Sequence, residues 1–237
     1  MAKPSLTILL PCYNPSKGWH NQVIDSMHIL RKELAAEFSI INLVIVNDGS
    51  TSGIDSDFKK GIVDDAAPVH FVEYEINRGK GYALRQGAAE VSTDYCIYTD
   101  IDFPYQEKSM VLMAKKLLEG NEVVLGHRGK DYYDKTPWFR KVISKTLRWV
   151  LKTFLRLPTD DSQCGLKGYD QKGLQLFLET KIDRFLFDLE FIKMAAKRKL
   201  KITTSEAELK PNIVFSKVNL KILFRESLNF VKVLFRK

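Results

Sequence analysis

The sequence has few residues that would cross-link the chain or hold it in a membrane. Its three cysteines, Cys12, Cys96 and Cys164, are far apart and include no Cys-x-x-Cys pair. Neither a disulfide framework nor a zinc site is indicated, and a reducing cytosolic location is favoured. No stretch reaches eighteen consecutive apolar residues, and the apolar run at 6–10 ends at Pro11, too early for a signal-peptide core. The sequence therefore predicts a chain that does not span a membrane.

Internal repeats and low-complexity linkers are absent as well. A chain of 237 residues is long enough for one large α/β domain or two small ones. Hydrophobic residues make up 45% and charged residues 28%, values that indicate a folded protein rather than a disordered tail. The 37 lysines and arginines exceed the 29 acids, and the net charge of +8 favours an anionic partner. Nucleic acid, a nucleotide phosphate and an acidic membrane surface are all compatible with that positive charge.

Apolar runs alternate with helical periodicity along the chain. A run at 6–10 is followed by apolar residues at helical spacing from Val23 to Leu34 and by a second run at 41–46. Together they predict a βαβ unit, and the continued alternation predicts an α/β fold with a doubly wound sheet. Further strands are predicted at 70–74, 95–98, 122–125 and 201–204, and further helices at about 80–88, 108–118 and 185–198.

Two acids, Asp100 and Asp102, follow the predicted strand at 95–98. In an extended backbone, residues two apart share one face, so both carboxylates would address one point beyond the sheet's carboxyl edge. Mg²⁺ and Mn²⁺ prefer carboxylate oxygens and usually share their coordination shell with substrate phosphates. The pair predicts such a metal site; a strand-ending turn with solvated acids is the alternative.

Other predicted strand ends also carry polar or charged side chains. Asp48 ends the second strand and Arg128 follows the fifth, while Lys80 lies in a Gly-Lys-Gly turn that opens a helix. A guanidinium binds phosphate in a bidentate manner, which makes Arg128 a candidate for an anionic acceptor. Lys80 would neutralise a leaving group or be an exposed cation near a helix start, and the residues favour neither.

Two segments are both basic and amphipathic. Residues 138–157 place apolar side chains on one helical face and a stripe of lysines and arginines on another, and the C-terminal segment repeats this pattern. We interpret both as helices lying against an anionic membrane surface; packing on the domain is the alternative. The predicted division of the chain is a domain at 1–211 followed by a basic amphipathic segment at 212–237.

Six blocks of sequence, spread over about residues 5 to 200, resemble known motifs. The first four are similar to the ordered motifs of family 2 glycosyltransferases with the GT-A fold, and the last two resemble those of dolichyl-phosphate β-glucosyltransferases. The blocks are Pro11-Cys12-Tyr13-Asn14, Val46-Asn47-Asp48-Gly49-Ser50, Asn77-Arg78-Gly79-Lys80-Gly81, Thr99-Asp100-Ile101-Asp102, Asp161-Ser162-Gln163-Cys164-Gly165-Leu166-Lys167 and Phe187-Asp188-Leu189-Glu190.

This resemblance implies a GT-A domain at 1–211, with a doubly wound mixed sheet, flanking helices and a C-terminal amphipathic helix. It implies a UDP- or GDP-hexose donor and Mg²⁺ or Mn²⁺ as cofactor. Asp48 falls at the position that binds the nucleotide base. Asp102 would be the more direct metal ligand, with Asp100 nearer the ribose and also a ligand. The expected donor-binding residues are Pro11, Tyr13, Asn14, Asp48, Lys80, Asp100, Ile101 and Asp102.

The acceptor side is implied in the same way. Arg128, Arg140 and Ser144 match positions that hold an acceptor phosphate, and Gln163 is expected to line the site. A lipid phosphate oxygen is already ionised near neutral pH, whereas a sugar hydroxyl needs a carboxylate to take its proton. Asp188 and Glu190 are the candidates for that base.

The two candidates would sit two residues apart on a helix and not share a face. Asp188 is therefore preferred as the catalytic group beside Asp102, and Glu190 is assigned to packing or a salt bridge.

The predicted function is inverting transfer of a hexose, glucose or mannose first, to an undecaprenyl or dolichyl phosphate. The enzyme would be cytoplasmic and peripheral at the inner face of the membrane. One alternative is transfer to a hydroxyl of a polysaccharide or glycolipid, and another is a non-catalytic basic protein that binds membrane or nucleic acid. Acids at the strand ends would repel nucleic acid, so no nucleic-acid partner is expected.

Overall fold

The structure is a computed structural model, and it describes residues 2–54, 68–129, 159, 161–184 and 186–211. The predicted helix at 138–157, with Arg140 and Ser144, lies outside the described residues. The C-terminal segment at 212–237 lies outside them too. Within the described ranges, none of the helices is both long and apolar enough to cross a bilayer.

A mixed sheet of seven strands forms the centre of the described structure, in the order β3-β2-β1-β4-β6-β5-β7. Neighbouring strands are parallel from β3 through β2 and β1 to β4, and β5 is parallel to β7. β6 runs antiparallel to both β4 and β5, as the implied mixed sheet requires. The strands are β1 (Ser5–Cys12), β2 (Ile40–Asp48), β3 (Val69–Tyr74), β4 (Tyr95–Tyr98), β5 (Val123–His127), β6 (Lys167–Asp170) and β7 (Ile202–Glu206).

Helices cover both faces of this sheet. Leu6, Ile8 and Leu10 of β1 belong to one core cluster, whereas Leu9 belongs to the other, because successive side chains of a strand point to opposite faces. α1 and α3 pack in the first cluster, and α2, α4 and α5 pack in the second. The helices are α1 (Trp19–Glu33), α2 (Lys80–Ala89), α3 (Glu107–Leu118), α4 (Gln171–Leu178) and α5 (Phe187–Lys197).

The strand order explains where polar side chains collect. The chain passes from β1 to β2 on one side, and β4 pairs on the other side of β1. Between such strands the crossovers leave a crevice at the carboxyl ends, which is where open α/β sheets hold ligands. The ends of β1, β2 and β4 lie side by side there, as predicted.

β6 and α4 were not predicted from the sequence. β6 has four residues, includes Gly168 and buries a charged side chain, Lys167, so it carries neither an apolar run nor an alternation. α4 begins at a capped end, where an Asp170 carboxylate oxygen accepts a 2.8 Å hydrogen bond from the Gly173 N–H. Sequence periodicity predicts no helix or strand between residues 158 and 184.

Candidate active site

A tight turn at 100–103 follows β4 and carries the paired acids. The Phe103 N–H donates a 3.0 Å hydrogen bond to the Asp100 carbonyl, and the strand itself ends at Tyr98. The assumption of an extended backbone through Asp102 was therefore wrong. Both carboxylates reach solvent because they flank a turn, Asp102 more than Asp100, and not because they alternate along a strand.

Phe103 holds this turn in an unusual conformation. Its φ is +41°, in the left-handed region that bulky residues rarely adopt, and its side chain is fully buried. Left-handed backbone costs a non-glycine residue about 1–2 kcal/mol. Surrounding contacts must therefore fix the turn, which orients the Asp102 carboxylate.

Negative charge accumulates at Asp102. Desolvation and the neighbouring Asp100 carboxylate raise the pKa of Asp102, and the ammonium groups of Lys80 and Lys210 only partly oppose them. A bound cation would relieve this repulsion, so the two acids fit a hard divalent ion. The described residues contain no group of three or more His, Cys, Asp or Glu side chains placed for a metal. Donor phosphates and water would have to complete the coordination, as is usual for Mg²⁺.

Lys80 contacts the first of these acids. Its Nζ donates a short hydrogen bond to Asp100 Oδ1 at the start of α2. Burial opposes the charged amine, but the carboxylates of Asp100 and Asp188 outweigh it and raise the pKa of Lys80. With 22% of its side chain exposed, Lys80 is a partly buried, paired cation and not a free surface charge.

Asp48 supports the turn that leads into α2. Its buried carboxylate accepts hydrogen bonds from Asn77 Nδ2 at 2.8 Å, from the Arg78 N–H at 2.8 Å and from the Gly79 N–H at 2.9 Å. The carboxylate points into the protein, so a nucleotide base would have to share it with this turn. Its predicted contact with the base stays a prediction.

The end of β1 is joined to the end of β2. Asn14 Oδ1 accepts hydrogen bonds from the Thr51 N–H at 2.8 Å and the Ser52 N–H at 3.2 Å. Pro11 lies in the parallel register opposite Val46, and the Tyr13 side chain is 52% exposed. Asn14 therefore fixes the loop, and Tyr13 is the residue of this block that faces outward.

Asp188 lies near the start of α5, within electrostatic reach of Lys80. Its Oδ1 accepts a short hydrogen bond from the Tyr98 hydroxyl and lies 2.9 Å from Lys167 Nζ, and all three side chains are buried. Lys167 Nζ also donates to the Cys164 carbonyl at 2.6 Å. The carboxylate of Asp188, the preferred catalytic group, is thus paired with the buried ammonium of Lys167. The sequence did not predict this pair.

Glu190 is held by a different part of the chain. One of its carboxylate oxygens accepts hydrogen bonds from the N–H groups of Lys181 at 2.9 Å and Ile182 at 2.8 Å. The segment that follows those residues packs against the start of α2, where the Gly81 N–H donates to the Asp183 carbonyl at 2.8 Å. Glu190 thereby stabilises the loop that supports Lys80.

Arg128 and Asp161 form a buried pair at the end of β5. Arg128 Nε lies 2.9 Å from Asp161 Oδ2, and Nη2 lies 2.5 Å from Oδ1. Asp161 raises the pKa of Arg128 strongly enough to outweigh the opposing effect of burial. The guanidinium is directed at Asp161, so the predicted contact with an acceptor phosphate stays a prediction. Two neighbouring polar atoms, Ser162 Oγ and Gln163 Nε2, are buried and have no hydrogen-bond partner among the described residues.

A comparison with known protein families matches most of the chain that carries these sites, up to residue 177. The description "Glycosyl transferase family 2" matches residues 7–177. The chain belongs to this family. The matched range includes Asp48, Asp100 and Asp102, the acids at the ends of β2 and β4.

Similar proteins agree with this assignment. Dolichyl-phosphate beta-glucosyltransferase of Saccharomyces cerevisiae is 24% identical over 218 residues, which cover 83% of this family 2 chain and 64% of the yeast protein. Poly-beta-1,6-N-acetyl-D-glucosamine synthase of Staphylococcus epidermidis is 36% identical over 100 residues, which cover 41% of this chain and 21% of that protein. The chain therefore spans less than two thirds of the length of either relative.

A solved structure confirms the GT-A fold. It is glucosyl-3-phosphoglycerate synthase from Mycobacterium tuberculosis in complex with Mn²⁺, uridine-diphosphate and phosphoglyceric acid. The likeness covers 98% of this family 2 chain and 77% of that one, with a TM-score of 0.69 at 16% identity.

The structure brings some of the predicted site residues into contact and leaves others apart. Lys80 and Asp100 are in contact, and Asp102 lies within electrostatic reach of both. Ile101, between the two acids, packs partly against the core. The sequence did not predict four partners of the site residues: Lys167 and Tyr98, which contact Asp188, Asp161, which contacts Arg128, and Lys210, which lies near Asp102. These residues are far apart in the sequence, and only the folded chain brings them together.

Gly165 provides a test of the geometry around Asp100. A Cβ at this position would lie 2.7 Å from Asp100 Oδ2 and 3.6 Å from Lys80 Nζ. Gly165→Ala should displace the Asp100 carboxylate and raise the Mn²⁺ dissociation constant about tenfold, the usual order for a disturbed metal environment. Titration of Mn²⁺ measures the effect. In the control Gly129→Ala, the nearest atom would lie 3.6 Å away, and the affinity should not change.

Proposed function

We propose that the chain transfers a hexose, glucose or mannose first, from a UDP- or GDP-sugar to a polyprenyl phosphate, with inversion and with Mg²⁺ or Mn²⁺. Membership of family 2 and the likeness to a dolichyl-phosphate glucosyltransferase support this proposal. A lipid acceptor would place the enzyme at a membrane, and we propose the cytoplasmic face.

The donor would bind across the ends of β1, β2 and β4. The related mycobacterial structure contains Mn²⁺ and uridine-diphosphate, and Asp100 and Asp102 would hold such an ion here. When bound, the ion would neutralise the charge that develops on the leaving diphosphate. Lys80 would add a second positive charge beside Asp100, and the turn held by Asp48 keeps Lys80 at that position.

The observation that carries the choice of acceptor is the environment of Asp188. A sugar hydroxyl must lose its proton to a base, and Asp188 was the preferred candidate. In the structure, Asp188 Oδ1 is bound by Tyr98 and Lys167, and 6% of the Asp188 side chain is exposed. A phosphate acceptor is already ionised and needs no such base. The buried, paired state of Asp188 therefore favours a phosphate nucleophile.

A hydroxyl acceptor is the second candidate. It is favoured by the 36% identity over 100 residues to a protein named Poly-beta-1,6-N-acetyl-D-glucosamine synthase. The matched part covers 41% of this chain and says nothing about residues beyond it. The two candidates differ in whether Asp188 takes a proton.

The variant Asp188→Asn distinguishes them. With a phosphate acceptor, the single-turnover rate should stay within about tenfold of wild type, because general-base catalysis contributes roughly 10²–10⁴-fold and none is lost. The rate is measured with labelled donor below the melting temperature of the variant. Because the substitution disturbs the Lys167 pair, circular dichroism and donor affinity serve as controls for folding. A loss of more than about 10² with unchanged donor affinity would contradict the phosphate acceptor.

A further inference from the structure

A short segment after β7, residues 207–210, pairs with residues 104–106, which directly follow the turn that carries Asp102; we call the segment 207–210 the strap. The Gln106 N–H donates to the Glu208 carbonyl at 2.8 Å, and the Lys210 N–H donates to the Pro104 carbonyl at 2.9 Å. Tyr105 and Leu209 form an antiparallel bridge between these two hydrogen bonds. The residues directly after the acidic turn are thus paired with the strap like a small additional ribbon.

The side chain of Lys210 anchors the strap to two helices. Its Nζ lies 2.6 Å from Glu107 Oε1, at the start of α3, and donates to Ser26 Oγ of α1 at 3.2 Å. Ser26 Oγ in turn donates to Glu107 Oε1 at 2.7 Å. Lys210 and Glu107 are largely buried, with 21% and 16% of their side chains exposed. Three parts of the chain that are distant in sequence meet at this ammonium group.

The same ammonium lies next to the strained residue of the turn. Lys210 Nζ is 5.8 Å from the centre of the Phe103 ring, within the range of a cation–π contact. Phe103 keeps its left-handed backbone only while neighbouring contacts hold it. The strap pairs with residues 104–106, and Lys210 contacts the Phe103 ring, so the strap holds both the backbone that follows Phe103 and its side chain. Asp102 directly precedes Phe103, so a shift of the Phe103 backbone would move the Asp102 side chain.

We propose that Lys210 is a positioning residue for the metal-binding turn: through the strap, it holds Asp102 in the geometry that receives the divalent ion. This inference rests on the proposed metal site. A cation that is merely near the site would act in the opposite direction, because its charge repels a metal ion. Loss of the Lys210 charge should therefore weaken metal binding if the residue positions the turn, and strengthen it if the residue acts only by charge.

The test is the Mn²⁺ affinity of the full chain, measured once with UDP and once with GDP, from the electron paramagnetic resonance signal of free Mn²⁺. Lys210→Met should raise the Mn²⁺ dissociation constant about tenfold, as loss of an outer-shell contact usually does. Lys210→Arg should keep most of the affinity. Ser26→Ala removes one acceptor of the ammonium and should also raise the dissociation constant, by less than Lys210→Met does. It is the variant to use if Lys210→Met does not fold.

A lysine of α3 that pairs with the strap provides the matched control. Lys108 forms a salt bridge to Glu208 at 2.6 Å, with 57% and 39% of the two side chains exposed. Lys108→Met should leave Mn²⁺ affinity unchanged, which separates the role of Lys210 from general loosening of the strap. Equal or tighter Mn²⁺ binding by both Lys210→Met and Ser26→Ala would overturn the proposal. Absence of Mn²⁺ binding by the wild-type chain would instead contradict the metal site itself.

Discussion

Asp102→Asn is expected to reduce metal-dependent transfer about 10³-fold, because the variant loses the carboxylate that would hold the ion against the leaving diphosphate. An amide has nearly the same size but no charge, so the turn at Phe103 should persist. Turnover of labelled donor at saturating Mn²⁺ measures the loss. The control is Asp25→Asn, an exposed acid on α1, which should leave turnover unchanged. Transfer by Asp102→Asn at the wild-type rate would remove Asp102 from the metal site.

The same variant should not lose stability. A raised pKa means that the native state disfavours the ionised carboxylate relative to the unfolded chain, so its negative charge opposes folding at neutral pH. That opposition disappears as the pH falls through the raised pKa. Asp102→Asn is therefore expected to melt at or above the wild-type temperature at pH 7. Because the pKa of Asp102 is raised, protons should weaken Mn²⁺ binding at a higher pH than they would at an aspartate with an ordinary pKa. Mn²⁺ affinity measured as a function of pH tests this.

Lys167→Met is expected to cause the largest loss of stability. The substitution leaves the Asp188 carboxylate buried without its cation, and breaking a buried ion pair in this way costs about 3–5 kcal/mol. For a chain of this size, each kcal/mol corresponds to roughly 2–4 °C, so the melting temperature should fall by about 6–20 °C. Urea unfolding followed by circular dichroism gives the free energy directly.

Two comparisons identify the cause of that loss. The double variant Lys167→Met, Asp188→Leu removes both charges and should recover most of the stability, because a buried pair is often replaceable by apolar side chains. Lys172 pairs with Glu122 on the surface, with 73% of the lysine side chain exposed. Lys172→Met should change the free energy of unfolding by less than about 1 kcal/mol. A double variant as unstable as the single one would show that lost packing, not the unpaired charge, dominates.

Much of the fold could be predicted from the sequence because its strands are buried on both faces. β1, β2 and β4 appear as continuous apolar runs, and helical spacing located α1 and α3 within a few residues. β6 could not be found in this way. The sequence of β6, Lys-Gly-Tyr-Asp, has the composition of a loop. The strand is stabilised by the buried Lys167, whose partner Asp188 lies on α5.

The candidate site was predictable in residue type more than in geometry. Acids at the ends of β2 and β4 are local features, and the sequence places them. The direction of each carboxylate depends on partners elsewhere in the chain. Asp48 turns inward because the turn before α2 offers it three N–H donors, and Asp188 is occupied because β6 brings Lys167 to it. The spacing of residues along the sequence does not predict contacts between residues that lie so far apart in the chain.

The most direct measurement is transfer of labelled hexose by the purified full chain with Mn²⁺. UDP- and GDP-hexose are each offered to undecaprenyl phosphate and, in parallel, to free glycan acceptors. We expect a labelled lipid that extracts into organic solvent, that forms with one of the two nucleotides and that requires both Mn²⁺ and Asp102. Label that enters only the glycan, while undecaprenyl phosphate stays unlabelled, would contradict this expectation.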